Sequence, residues 1–312
     1  MIEDTLTGLL FKVILTLLFV AVPIGWLLLK IKKLTKEENQ NSRSPFSEKL
    51  LRPAGESLRL RIDEINSKLW DQILELVLLL FYPALVIIFL PKMNWSASLS
   101  VILIAAIICG IFTRKKWQAI VNIKDELRKY ELGFHAERVV ASELEQLRAV
   151  GYQVFHDIID DSRPGGEKTN YNIDHIVVGP QGVFVIETKG KRKATPLPTS
   201  TLKEHQLAFD GKQLSFPNGT VTEQPIQQAK QNAQFVEKWL ATSVSGELPC
   251  RAIVAYPGWF VKNKDGKING VQPAKGLAKR IPSLGRGRQL EPHEVSALAA
   301  RIEDKSRDVD SA

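Results

Sequence analysis

Two β-rich runs, Asn172–Val178 and Val183–Lys189, flank Gly179-Pro180-Gln181-Gly182, and this stretch restricts the possible folds of the chain more than any other. Glycine and proline between such runs signal a turn, so the runs are expected to pair as an antiparallel hairpin. A four-residue loop sets Val178 against Val183, and counting outward puts Asp174 opposite Glu187. A two-residue Pro180-Gln181 turn gives the same register but needs a positive φ that the proline ring forbids. A three-residue loop would shift the register by one and separate the two carboxylates. Ile173, Val177, Phe184 and Ile186 fall on one face, and Ile176, Val178, Val183 and Val185 on the other. A pair apolar on both faces belongs in the middle of a sheet with helices on either side.

The surrounding pattern agrees. Leu132, Ala136, Val139, Val140, Leu144 and Leu147 recur at helical spacing and stop before Gly151. Tyr152–Ile158 reads as a strand, Asp160–Thr169 as a polar loop, and Asn218-Gly219 as the turn of a second hairpin. A helix is predicted from Pro225 to about Leu240, a buried strand over Ala252–Tyr256, and a last helix around Glu294–Ile302. The expected class is α/β, a mixed central sheet flanked by helices, over residues 124–312.

The first part of the chain has a different character. Leu9–Leu29 is a run of 21 residues whose only charge is Lys12, long enough at about 1.5 Å per residue to cross a hydrocarbon core of about 30 Å. The start Met1-Ile2-Glu3-Asp4 lacks the basic region of a cleaved secretory signal, which favours a retained anchor. Apolar runs over 73–90, interrupted by Glu75 and Pro83, and over 95–112 supply two further predicted spans. Lys30, Lys32, Lys33 and Lys36 follow the first run and Arg114-Lys115-Lys116 the third. The positive-inside rule therefore predicts a multi-pass protein of an inner (plasma) membrane, with the 31–71 loop and everything beyond residue 113 in the cytoplasm. Trp26, Trp95 and Trp117 near the run ends suit the interface. The domain reading is thus a membrane region, 1–123, followed by a cytoplasmic domain, 124–312.

The net charge of +8 divides unevenly. Residues 1–132 hold 18 Lys or Arg against 13 Asp or Glu, a surplus of +5, which leaves +3 for the remaining 180 residues. The excess is juxtamembrane and reads as a topology and anionic-lipid signal, so the basic composition says little about nucleic acid. Cys109 and Cys250 lie in environments too different to pair.

Chemistry is concentrated on the hairpin. Opposed carboxylates on a central strand pair repel, and a hard divalent cation relieves that repulsion. Mg²⁺ suits one or two carboxylates completed by water and phosphate oxygens. Lys189 shares a face with Glu187, where an ammonium can neutralise phosphate charge. Spacing alone leaves a second reading open, a buried carboxylate–lysine ion pair at a sheet end. His175 should face away from Asp174 by strand alternation, and the five histidines show no metal-ligand spacing. Lys191, Arg192 and Lys193 follow the strand and are candidate nucleic-acid contacts, and Gly285-Arg286-Gly287-Arg288 invites the same reading.

The run Asn172 to Lys189 resembles the signature of the NERD (nuclease-related) domain, a branch of the PD-(D/E)XK restriction-endonuclease-like superfamily. Gly133-Phe134-His135-Ala136-Glu137 resembles that family's Gly-x-x-Gly-Glu helix motif, with Ala136 in place of glycine. Gln224-Pro225-Ile226-Gln227-Gln228 resembles its Asn-Pro-x-x-Gln motif, with Gln224 in place of asparagine. The resemblance covers about residues 130–260. It implies that Asp174 and Glu187 hold a metal, Mg²⁺ or Mn²⁺, and that Lys189 is the catalytic lysine. Glu137 is then a further ligand or water-positioning acid, and Gln228 lines the site. The expected activity is a membrane-anchored, metal-dependent nuclease acting on DNA or RNA. The rival readings are a non-catalytic nucleic-acid-binding module and a membrane scaffold or signalling protein, in which Glu75 would matter more than Glu187.

Overall fold

The computed structural model describes residues 50–80, 95–160, 171–263, 270–285 and 287–307. Their contacts divide into two compact units, Met1–Glu48 with Asn66–Asp125, and Lys49–Ile65 with Glu126–Ala312. The second unit carries two sheets.

The five-stranded sheet has the order β1-β2-β3-β7-β9, formed by β1 (Gln153–Asp160), β2 (Tyr171–Gly179), β3 (Gly182–Thr188), β7 (Cys250–Tyr256) and β9 (Val271–Pro273). β1, β2 and β3 are antiparallel, whereas β7 runs parallel to β3 and β9 parallel to β7, so the sheet is mixed as expected. The hairpin register is the derived one, from Gly179↔Gly182 through Val178↔Val183 to His175↔Ile186. The ladder thus stops one step before Asp174 and Glu187. Gly182 sits at φ 113 with its Cα packed on the Pro249 carbonyl, a turn that only glycine can close.

Both faces of this sheet are covered. Val177, Phe184 and Ile186 pack with Val140, Leu144 and Leu147 of α2 (Trp95–Leu144) and its 3₁₀ extension, and with α4 (Leu277–Leu284). Ile176, Val178, Val183 and Val185 pack against α3 (Gln224–Leu240) and α5 (Pro292–Ser306). Ile173 was expected beside Val177 but packs with Ile176 on the opposite side. Asp157 explains the change, because its left-handed backbone at φ 51 interrupts the alternation of β1 and lets Phe155 and Ile158 face the same way.

A smaller four-stranded sheet, ordered β6-β5-β4-β8, comprises β4 (Gln206–Phe209), β5 (Leu214–Ser215), β6 (Val221–Thr222) and β8 (Phe260–Asn263). β5 and β6 form the hairpin expected around Asn218-Gly219. β4 and β8 pair in parallel and were not anticipated, since four residues are too few for a clear alternation.

The first half of the chain departs further from expectation. α1 (Glu56–Leu80) takes in the last part of the predicted 31–71 loop, and α2 runs for 50 residues across the predicted boundary at 123/124. No proline interrupts 95–144, and Arg114-Lys115-Lys116 are good helix formers, so nothing stops the helix there. Among the described residues no helix is long and apolar enough to cross a membrane. The predicted span 9–29 and most of 73–90 lie outside the described residues, and 95–112 is the first part of α2. In this unit Lys116 is paired with Glu75 and donates to Gln72 at 3.1 Å, which gives the unusual Glu75 a local counter-charge. Cys109 and Cys250 are both free thiols.

Residues 50–65, placed with the membrane region by composition, belong to the sheet-bearing unit. Arg52 N–H donates to the Ser306 carbonyl at 2.9 Å, and Leu51 bridges Arg307. Replacing Gly182 by alanine is expected to lower unfolding free energy by about 2 kcal/mol or more in urea titrations. The added Cβ would stand 2.2 Å from the Pro249 carbonyl oxygen, in a backbone region hostile to side chains.

Candidate active site

The end of β3 is fixed from both sides. Lys189 N–H donates to Ala255 O of β7 at 2.9 Å, continuing the parallel ladder by one step. The next residue, Gly190, lies so close to α2 that a Cβ there would stand 2.8 Å from Leu132 O and 3.1 Å from the Ala136 Cβ. This approach brings the strand exit beside Glu137, and it shows Ala136 acting as a packing residue.

Around that point the expected side chains converge. Lys189 Nζ donates to Glu187 Oε1 at 2.7 Å and to Gln228 Oε1 at 2.9 Å. Thr188 N–H donates to Asp174 Oδ2 at 2.6 Å, tying the second carboxylate to the neighbouring strand. Glu187 is almost wholly buried, Glu137 is buried on α2, and Lys189 retains 31% side-chain exposure. Glu137 is therefore no solvated helix residue. Asn232 Nδ2 donates to Glu187 Oε2 at 3.0 Å and was not anticipated. Its signal was present in the sequence: it lies four residues after Gln228, on the buried face of α3 between Ala229 and Ala233.

Asp157 is the other residue that sequence reasoning passed over. The β1–β2 ladder is in register on both sides of it, His156↔His175 and Ile158↔Ile173, so Asp157 and Asp174 are the facing pair between them. Asp157 Oδ2 accepts from Arg52 Nη2 at 2.6 Å and Nε at 2.9 Å, and from Ser57 N–H and Oγ at 2.9 Å each. Asn172 Nδ2 donates to Oδ1 at 2.8 Å.

The acids perturb one another. Glu137 is pushed up to about 8, first by burial and then by the charges of Asp157 and Glu187, with Lys189 and the Gly55 N–H pulling the other way. Asp174 is held well above the ordinary aspartate range by burial, then by Glu187 and Glu137. Burial also raises Glu187, opposed by Lys189 and Asn232. Clustered carboxylates that resist ionisation provide an all-oxygen donor set for a hard cation. Among the described residues no three His, Cys, Asp or Glu side chains are grouped to hold a metal. A cation would thus rest on Asp174 and Glu187, with water and substrate oxygens completing its shell, which fits Mg²⁺ or Mn²⁺. Asp174 Oδ2 and both Glu187 oxygens each keep a second lone pair beyond these hydrogen bonds.

The basic run following β3 is less uniform. Lys191 lies 4.3 Å over the Phe216 ring, and its carbonyl accepts from Trp259 Nε1 at 3.0 Å, while Arg192 and Lys193 are exposed. Arg288 is paired with Glu294 at 2.7 Å and has a structural role; Arg286 lies outside the described residues. His175 faces away from Asp174 as expected, with Nδ1 2.9 Å from His156 Nδ1 and Nε2 3.1 Å from Thr188 Oγ1.

The mixed sheet thus brings an acidic pair and a lysine to one end of its central hairpin, beside a helix acid and a helix glutamine. Residues 132–257 match the family model of the nuclease-related domain, NERD. Glu137, Asp174, Glu187, Lys189 and Gln228 all fall within the match. No curated protein and no solved structure matches the chain.

A carboxyl whose folded pKa lies above its unfolded one stabilises the fold while protonated, and that contribution is lost as pH rises from 4.5 through about 8 for Glu137. Burial lowers the pKa of His156 and His175, which has the opposite effect, stability being lost only as pH falls below 6.5. Between pH 6.5 and 8 the raised acids act in this direction, while the pH dependence from these two histidines fades. In chelator, Glu137→Gln should flatten the decline in melting temperature across that window relative to wild type.

Proposed function

We propose that the protein is a membrane-anchored, Mg²⁺-dependent nuclease that hydrolyses phosphodiester bonds in DNA, or in RNA. The observation that supports this reading is the convergence of Asp174, Glu187 and Lys189 from one hairpin with Gln228 from α3. A divalent cation held by Asp174 and Glu187 would supply Lewis-acid polarisation of the phosphate and a lowered pKa for an attacking water. The protein groups have separate tasks. Asn232 fixes the rotamer of Glu187, and Thr188 N–H fixes Asp174. Gln228 and Glu187 aim the Lys189 ammonium, whose exposed part can meet the charge that develops on phosphoryl oxygens. Glu137, titrating near 8, is suited to orient the water and take its proton at a carboxylate oxygen. Arg192 and Lys193 would contact phosphates beyond the scissile bond.

The membrane part of the proposal draws on the Leu9–Leu29 run and on the outward apolar side chains of α2. Leu103, Ile104, Ile107, Ile108, Ile111 and Phe112 are each more than 40% exposed. Apolar side chains turned outward at this density suit contact with lipid. The positive-inside pattern would leave the nuclease-related domain in the cytoplasm, against an inner membrane.

Full-length protein with Mg²⁺ should cut plasmid DNA or single-stranded RNA. Glu187→Ala should abolish cutting, and Lys189→Ala should slow it by about 10²-fold or more. Equal cleavage by Glu187→Ala, or none by wild type on any polymer, would sink the nuclease reading in favour of a non-catalytic binding module. In cell fractionation the full-length chain should stay with membranes after alkaline carbonate washing, and removal of residues 1–29 should reduce its retention. Recovery of the intact chain in the soluble fraction would overturn the anchor.

A further inference from the structure

Among the described residues four carboxylates from four elements act electrostatically at the site, Glu137 on α2, Asp157 on β1, Asp174 on β2 and Glu187 on β3, although no three of them are grouped to hold a metal. Two fixed cations accompany them, Lys189 on Glu187 and Arg52 on Asp157. With every acid ionised the cluster carries −2, the charge that one divalent cation cancels. Arg52 therefore bears on the charge presented to the metal through Asp157.

The segment that delivers Arg52 is built for this position. Gly55 has φ 78, and a Cβ there would lie 2.7 Å from the Phe134 ring, so only glycine brings the backbone this close to α2. Its N–H is thereby presented to the Glu137 carboxyl. Two residues later Ser57, in the first turn of α1, turns a helix N-terminal N–H that has no partner within the helix onto Asp157. Arg52 closes the other side of Asp157 with two charge-assisted hydrogen bonds and also donates to Ser57 Oγ at 2.8 Å. The Arg52 guanidinium, the Ser57 N–H and hydroxyl and the Gly55 N–H each reach one of the two acids outside the proposed metal-binding pair.

We propose that Arg52 and the first turn of α1 are positioning elements of the site, holding Asp157 as a neutralised neighbour rather than a third metal ligand and so setting the negative charge that faces the cation. This rests on the metal-nuclease reading. The catalytic unit accordingly begins near residue 50, and a fragment starting at 124 would lack the counter-charge of Asp157.

Mn²⁺ titration of the full-length protein without nucleic acid, followed by calorimetry, tests the inference. Arg52→Met leaves the cluster at −3 and should tighten Mn²⁺ binding about tenfold. Asp157→Asn leaves it at −1 and should weaken binding by a similar factor. The double variant should return close to wild type, and Arg52→Lys, which keeps the charge, should bind Mn²⁺ as wild type does. Cleavage by Arg52→Met should show reduced kcat at unchanged KM. A merely structural role would weaken binding in both single variants, and shifts of the same sign, or none, overturn the inference. If Arg52→Met does not fold, Asp157→Asn alone decides: weaker binding supports the inference, and unchanged or tighter binding overturns it. Wild-type binding that is abolished by Glu187→Ala yet unmoved at Arg52 and Asp157 defeats only this inference. Failure of wild type to bind Mn²⁺ at all defeats the nuclease reading beneath it.

Discussion

Carboxylate charges repel more strongly as water is removed from between them, and here three adjacent strands and one helix each bring a carboxylate to the same sheet end. The neighbouring structure answers that repulsion one acid at a time. Glu187 takes an ammonium and an amide, Asp174 takes a backbone N–H, and Asp157 takes a guanidinium with two donors from a helix start. Glu137 receives the Gly55 N–H and the more distant charge of Lys189, and is the acid driven up to about 8. Removing one partner from such a cluster leaves an uncompensated buried charge, which costs far more than the loss of a surface pair.

Two close backbone approaches make the cluster possible. Gly190 lets the exit of β3 touch α2 at Leu132 and Ala136, and Gly55 lets the chain before α1 touch α2 at Phe134. Both fall within one and a half turns of the same helix, on either side of Glu137. That helix face is thus pinned between the strand carrying the lysine and the segment carrying Arg52. The long helix positions Glu137 because two residues without side chains permit the packing, and Ala136 serves where the family pattern has a glycine because it too is small.

The hairpin was legible because turn chemistry and strand period are local. Pro180 excludes the tighter turn, the loop length sets the register, and the register brings Asp174 and Glu187 together. Gln228 was found through a motif, whereas Asn232, one helical turn further on, required noticing a polar residue on a buried stripe. Asp157 and Arg52 are 105 residues apart and no periodicity links them. Asp157 also adopts a left-handed conformation that a β-rich run does not advertise. The boundary at 123/124 followed a change in composition and lies beside the division of the compact units after Asp125, while the helix runs on across it because helix propensity is continuous there. Composition grouped residues 50–65 with the apolar first part of the chain, whereas they belong to the sheet-bearing unit, where the Arg52–Asp157 ion pair that ties them in leaves no sequence pattern.

Behind the acids the polarity changes. Thr188 gives its N–H to Asp174 and its hydroxyl to His175, which meets His156, which meets Glu145 at 3.1 Å. A carboxylate at the outer end requires His156 Nε2 to donate, so His156 Nδ1 accepts from His175 Nδ1, and His175 Nε2 accepts the threonine proton. Both rings are then neutral, in keeping with the burial that lowers their pKa values. The threonine hydroxyl and the two imidazoles behind the site thus form an uncharged hydrogen-bonded relay that ends on the Glu145 carboxylate, and it anchors the Thr188 side chain without setting a charge next to the acids. The charge balance of the acids is consequently set by Lys189 at the strand end and Arg52 at the side, and the residues holding those two cations control it.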